Sequence, residues 1–246
     1  MKKAILVATV GALALSANAG DWGKAPVSKN VVVEECVDLG GEISVGYETD
    51  YIFRGVRAAG DSVWADVNYT FDGLAVPVTV GALYLNGING GPLAGFPFAG
   101  PGAGTEFDKL DLYVSAAVGT FAGFDVTLGY THYVFPEIRS TLANNTGYGE
   151  LNLGISRSLG FVDLAYQAAY GFAGSGSYGH GWYHQLGVEK SFGLTDNISL
   201  VLGTGVAYSD QYSTGNFGKS GWNHYYVTAA LPIELNCRTT LTPYIG

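Results

Sequence analysis

Apolar and polar residues alternate along most of the chain. In the stretch 41–56, GEISVGYETDYIFRGV, one set of alternate positions holds Ile43, Val45, Tyr47, Thr49, Tyr51 and Phe53, and the other holds Glu42, Ser44, Gly46, Glu48, Asp50 and Arg54. Side chains of an extended strand point to opposite faces in turn, so this period of two predicts a strand with one apolar and one wet face. The period recurs over 62–72, 74–86, 109–119, 124–135, 148–156, 162–171, 182–192, 198–208 and 223–234, with a partial last segment at 239–246. The pattern predicts about eleven strands of roughly 9–12 residues, longer than is usual in globular sheets and near the length of a tilted membrane-crossing strand.

The connections between these segments alternate in length. Short ones at 72–73, 120–123, 158–160, 193–197 and 235–238 are interleaved with longer ones at 55–61, 87–107, 136–147, 172–181 and 209–222. A meander with tight turns at one end and long loops at the other is the pattern of an outer-membrane barrel. Period two leaves the polarity open, because a soluble barrel buries its apolar face and a membrane barrel exposes it.

Composition favours the membrane polarity: charged residues make up only 13% of the chain, against 48% hydrophobic and 13% aromatic. The presumed outer faces are aliphatic in mid-strand and aromatic toward the ends, at Tyr51, Phe53, Phe71, Tyr84, Phe124, Tyr170, Trp182, Phe192, Tyr208 and Tyr225. Tyrosine and tryptophan favour the headgroup level of a bilayer. His132 and Lys190 also fall on the outer faces, near strand ends where a polar tip can reach water. The expected fold is therefore an all-β, antiparallel, up-and-down transmembrane β-barrel.

The first residues, MKKAILVATVGALALSANAG, place two lysines before an apolar run and the small triplet Ala17, Asn18, Ala19 after it. This is the form of a secretory signal peptide. The expected organisation is a signal peptide over 1–19, an N-terminal periplasmic segment over 20–41 and a barrel over 42–246, reaching the cell outer membrane by export through the periplasm. Removing Lys2 and Lys3 leaves 12 − 2 = 10 bases against 21 acids, a net charge of −11. Such acidity argues against nucleic acid as a partner, since phosphate binding needs a basic footprint. The 37 glycines follow no three-residue period, so a collagen-like chain is excluded.

The block YETDYIFRGVRAAGDSVWADVNYTF resembles the first hairpin of a Gram-negative outer-membrane family, the TorF-like porins, in its core Thr49-Asp50-Tyr51-Ile52-Phe53-Arg54-Gly55. The resemblance covers about thirty residues and otherwise only barrel architecture. It implies a porin-like barrel with no defined substrate. Single-chain bacterial barrels have even strand numbers, and members of such families resemble one another in closing on a strand with a terminal aromatic. This chain stops at Tyr244-Ile245-Gly246. The expectation is about twelve strands when complete with the last one missing here, or else a strand supplied by 31–37, VVVEECV.

On the faces assigned to the lumen lie Glu42, Glu48, Asp50, Asp66, Asp111, Asp125, Glu150, Asp163 and Glu189, against Arg54 and Lys109. Carboxylates in a narrow aqueous pore attract cations. The functional expectation is a porin-like channel for passive diffusion of small polar or cationic solutes. The structural alternative is that these acids pair with the bases and with Tyr and Asn to plug the lumen. Arg54, Arg57, Glu48 and Asp50 are expected close together at the outer end of the first strand, where an arginine can hold two carboxylates, ordering the mouth or forming an eyelet.

Candidates for other chemistry are weaker. His132, His180, His184 and His224 lie mostly near the long-loop ends, but no Cys or carboxylate has ligand spacing beside them, so no metal site is expected. A lipid-modifying enzyme would need a Ser, a His base and an orienting acid, and no Gly-x-Ser-x-Gly elbow is present. No cofactor is implied. Cys36 and Cys237 both fall at the short-turn end, where a disulfide would tie the N-terminal segment across the barrel floor in an oxidising compartment. The loop 87–107 is rich in Gly, Pro and Phe and can fold inward as a constriction or outward as a recognition surface. A non-conducting barrel acting in surface recognition or adhesion is accordingly the second functional expectation. The expected partners are outer-membrane lipid and small polar solutes or cations, with the oligomeric state left open.

Overall fold

Alternation of residue class becomes alternation of burial in the computed structural model, which describes residues 40–88, 107–136, 147–172, 181–212 and 220–246. The strand Ser62–Phe71 shows it most plainly: Ser62, Trp64, Asp66, Asn68 and Thr70 are buried while Val63, Ala65, Val67, Tyr69 and Phe71 are exposed. Burial runs opposite to hydropathy, the inverse of a soluble barrel. Ile43 and Val45 are likewise 78% and 75% exposed.

The chain is all-β and its elements follow in order: β1 (Gly41–Glu48), β2 (Tyr51–Phe53), β3 (Val56–Ala59), β4 (Ser62–Phe71), β5 (Val78–Gly87), β6 (Asp108–Phe121), β7 (Phe124–Val134) and β8 (Gly147–Ser158). They continue with β9 (Asp163–Phe172), β10 (Gly181–Gly193), β11 (Ser199–Asp210), β12 (Gly221–Ala230), β13 (Ile233–Asn236), β14 (Thr239–Leu241) and β15 (Tyr244–Ile245). Eleven of these form one antiparallel up-and-down sheet in the order β1-β4-β5-β6-β7-β8-β9-β10-β11-β12-β15. The hairpins β2–β3 and β13–β14 are separate two-stranded sheets.

The sheet curls so that its polar face is concave. Arg54, which follows β2, reaches Glu150 on β8, and the Tyr244 hydroxyl on β15 donates to Glu48 on β1 at 2.7 Å. The ladder itself does not close, since β15 adds two register pairs to β12 and joins no other strand among the described residues.

Glycines on the concave face make room for tyrosines. A Cβ at Gly81 would run into the Tyr113 ring from the neighbouring strand, and one at Gly205 into the Tyr226 hydroxyl. Bulky and absent side chains thereby share one level of the interior, which keeps packing dense without off-rotamer strain.

Two segment expectations are corrected. The first strand does not run through 41–56: it stops at Glu48, and a tight turn at Arg54 and Gly55, with φ of 52° and 78°, reverses the chain into the β2–β3 hairpin. Two consecutive residues at positive φ define a hairpin turn that period two cannot register. Tyr51 and Phe53, expected in the lipid-facing girdle, are 0% and 2% exposed inside the structure. Of the remaining girdle positions, Phe71, Tyr84, Trp182, Phe192 and Tyr225 are exposed and Phe124, Tyr170 and Tyr208 are half-buried.

The second correction is at the C-terminal end. The expected strand over 223–234 breaks after Ala230, because Pro232 and Pro243 cannot donate to a ladder and flank the extra hairpin β13–β14. Their carbonyls instead accept from Ser199 and Leu231. Cys237 lies in the β13–β14 turn, whereas Cys36, the signal peptide and 31–37 lie outside the described residues.

Replacing Gly81 by Val is expected to cost about 1–3 kcal/mol by overpacking against Tyr113. Urea unfolding of the refolded chain measures this, and adding Tyr113→Ala should recover part of the loss.

Candidate functional site

The hairpin β2–β3 crosses the interior at the end that carries the long connections. Among the described residues it forms no ladder with any wall strand, and side chains pack it against the wall. Its reach spans the concave face: Ala59 touches the Gly87 position on β5, and the Gly55 position faces His224 and Asn223 on β12. Tyr51, Phe53, Ala58 and Ala59 pack with Trp64, Leu85, Phe107, Tyr133, Phe135 and Tyr148 in one buried cluster.

The tip of the hairpin carries its strongest anchor. Arg54 donates from both terminal nitrogens to the two carboxylate oxygens of Glu150, at 2.6 and 2.7 Å, with side-chain exposures of 1% and 0%. The Tyr133 hydroxyl donates to Glu150 Oε2 at 3.0 Å, and the Tyr212 hydroxyl donates to Oε1. The guanidinium lies over the Tyr183 and Tyr212 rings, each at 4.5 Å, and 5.2 Å from Phe53. Bidentate pairing fixes the plane of the guanidinium, and aromatic faces stabilise its charge where water is excluded.

Burial acts to push the Arg54 guanidinium down, and the adjacent Glu150 carboxylate outweighs it and holds the group above its ordinary range. Arg54 adopts φ 52°, a left-handed conformation that costs a non-glycine residue about 1–2 kcal/mol, so the cage contacts offset a local strain.

A second buried cation lies beside the hairpin. Lys109 Nζ on β6 is 2.7 Å from Asp111 Oδ2 and sits over the rings of Tyr51, Phe53 and Tyr133 at 4.9–5.3 Å. The two cations expected in the lumen thus both face the aromatic residues of the hairpin.

The remaining sequence-derived positions are distributed along the concave face. Glu48 accepts from Tyr244, and Asp66 accepts from Tyr113 at 3.0 Å and Asn68 at 3.2 Å. Toward the short-turn end, Glu42 takes the Ser44 hydroxyl and Asp125 takes the Thr120 hydroxyl. Asp163 and Glu189 stand directly opposite each other in the β9–β10 register. Asp50 is exposed and pairs with Arg57 at the base of the hairpin. The expected grouping of Arg54 with Glu48 and Asp50 is replaced by the Arg54–Glu150 pair, 96 residues apart in the chain.

The histidines do not converge. His132 contacts Tyr130 and His184 contacts Tyr166 on the convex face, while His224 turns toward the hairpin beside Asn223. His180 lies outside the described residues, as do positions 89–106 of the long Gly/Pro/Phe loop. Among the described residues no group of three His, Cys, Asp or Glu is placed to hold a metal.

Tyr133, Tyr148, Tyr183 and Tyr212 were not singled out from the sequence. Three of them occupy the wet register of their strands, so an aromatic residue on the polar face was the available signal. Compared with known proteins, the chain matches no family model and no curated protein.

Glu150→Ala is expected to cost about 3–5 kcal/mol, because it leaves the Arg54 charge buried without a partner. Adding Arg54→Ala should cost much less than the sum of the two single changes, a coupling read from a double-mutant cycle of urea midpoints.

Proposed function

We propose that this chain forms an outer-membrane β-barrel, with β15 as the eleventh strand of its wall, and that its interior is a porin-like passage for small polar or cationic solutes. The observation that carries the reading is the inverted wall: long strands expose Val, Leu, Tyr and Phe outward and turn carboxylates, amides and hydroxyls inward. Short connections at 122–123 and 159–162 then face the periplasm, and the hairpin β2–β3 sits at the outer mouth.

Charge supports a preference for cations. Glu42, Glu48, Asp66, Asp111, Asp125, Glu150, Asp163 and Glu189 face the interior against Arg54 and Lys109, and both bases are paired. The surplus negative charge lies toward the periplasmic half, where Asp163 and Glu189 face each other without a base in register. A disulfide between Cys36 and Cys237 belongs to the same reading, since Cys237 lies at the periplasmic turn β13–β14.

The hairpin favours a second reading. An element that crosses the mouth and buries Tyr51, Phe53 and Arg54 makes the resting passage narrow, and a barrel that never opens would act through its outer loops in recognition or adhesion.

Planar-bilayer recording of the refolded full chain in a KCl gradient separates the two. A small steady conductance with a cation-selective reversal potential is expected, weakened by Asp163→Asn together with Glu189→Gln. An inserted barrel that passes no current, in wild type and with the Arg54–Glu150 pair removed, overturns the channel. Mass analysis of peptides from the exported protein should find Cys36 and Cys237 joined without reductant.

A further inference from the structure

The surroundings of Arg54 have the form of a receptor with its ligand in place. One wall carboxylate, Glu150, is fully buried and presents both oxygens in one plane to a bidentate donor. Two tyrosines, Tyr183 on β10 and Tyr212 just beyond β11, each hold the cation 4.5 Å from the ring centroid. Tyr133 and Tyr212 fix the carboxylate by donating to it, so the acceptor is oriented independently of the arginine. Tyr133, Glu150 and Tyr183 come from the wall strands β7, β8 and β10, and Tyr212 lies two residues beyond the end of β11. The occupant comes from elsewhere.

That occupant is separable on three counts. Among the described residues the hairpin shares no ladder with the wall. Its tip places a non-glycine residue at φ 52°, where glycine or asparagine is the unstrained choice. Arg54 Nε and the Tyr51 hydroxyl are buried without a hydrogen-bond partner, so the closed position leaves polar groups unsatisfied. An element whose tip is anchored by one ion pair, under strain and incompletely paired, with the rest held by ring and apolar contacts, is one whose tip a competitor for the same cage can displace.

We propose that the cage of Glu150, Tyr183 and Tyr212 is a binding site for guanidinium-headed solutes, with Arg54 as its built-in occupant, so that an incoming guanidinium competes with the hairpin. The planar two-point geometry selects guanidinium over ammonium. Lys109 shows the contrast within the same interior: its ammonium makes a single ion-pair contact with Asp111 and stands farther from its rings. Access rests on the reading of the outer mouth as reachable from solution, and binding to the emptied cage does not require that the barrel conduct.

Arg54→Gly is the informative variant, because it empties the cage and suits the left-handed backbone. Refolded R54G is titrated with millimolar ethylguanidinium at constant ionic strength, with ethylammonium and KCl as controls, following tyrosine fluorescence and thermal midpoint. Ethylguanidinium should give a saturable response that ethylammonium does not, weakened at least tenfold by a further Glu150→Gln. In wild type, which needs no substitution, hydrogen exchange of peptides over 51–59 should quicken with ethylguanidinium and not with ethylammonium. A folded R54G with no saturable response, or one indifferent to E150Q, overturns the proposal, as does unchanged exchange in wild type. Saturable binding in a barrel that carries no current keeps the cage and removes the channel; conductance with no guanidinium response keeps the channel and removes the cage.

Discussion

The carboxylate of Glu150 is the point on which the interior is organised. It is fully buried and receives four hydrogen bonds, two from Arg54 and one each from Tyr133 and Tyr212. An isolated buried carboxylate costs several kcal/mol, so its donors must come to it from wherever the chain can supply them. Supplying them draws the hairpin β2–β3 across the interior, seats its aromatic residues against β7 and β8, and brings Lys109 and Asp111 into the same cluster.

The wall has a different basis for its stability. Each strand from β4 to β12 satisfies its backbone groups through ladders on both sides, β1 and β15 being the edges among the described residues, and the in-register pairs from β1 to β12 continue with only local shifts near Gly119 and Ala207. Such a wall tolerates an apolar outer surface in a lipid environment, where every backbone donor and acceptor must be paired internally. The hairpin lacks this support. Backbone hydrogen bonds hold the wall, whereas one buried ion pair, ring stacking and apolar contact hold the hairpin against it.

Strand existence and polarity were legible because they depend on local alternation and on a whole-chain scarcity of charge. β4, β7, β9, β10 and β11 fall within a residue or two of their expected bounds, and the exposed residues of β4 are the apolar ones the pattern assigned. The hairpin was not legible. Tyr51 and Phe53 continue the alternate positions of Ile43, Val45 and Tyr47 past the end of β1, so they carry the same signature as outward-facing residues while lying inside. The break after Ala230 was signalled by Pro232, a residue that the run of alternating positions around it masked.

The sequence by itself determined the class of structure: which residues are extended, which face of each strand is wet, and that acids outnumber bases on that face. These follow from single-residue chemistry repeated at a fixed period. Tertiary structure decided the partners. Glu150 and Arg54 are 96 positions apart, and Tyr244 and Glu48 are 196 apart. Such pairings arise only once the sheet has curled and brought distant strands to face one another, because what selects among several carboxylates for one arginine is the cost of burial at a particular place in the fold.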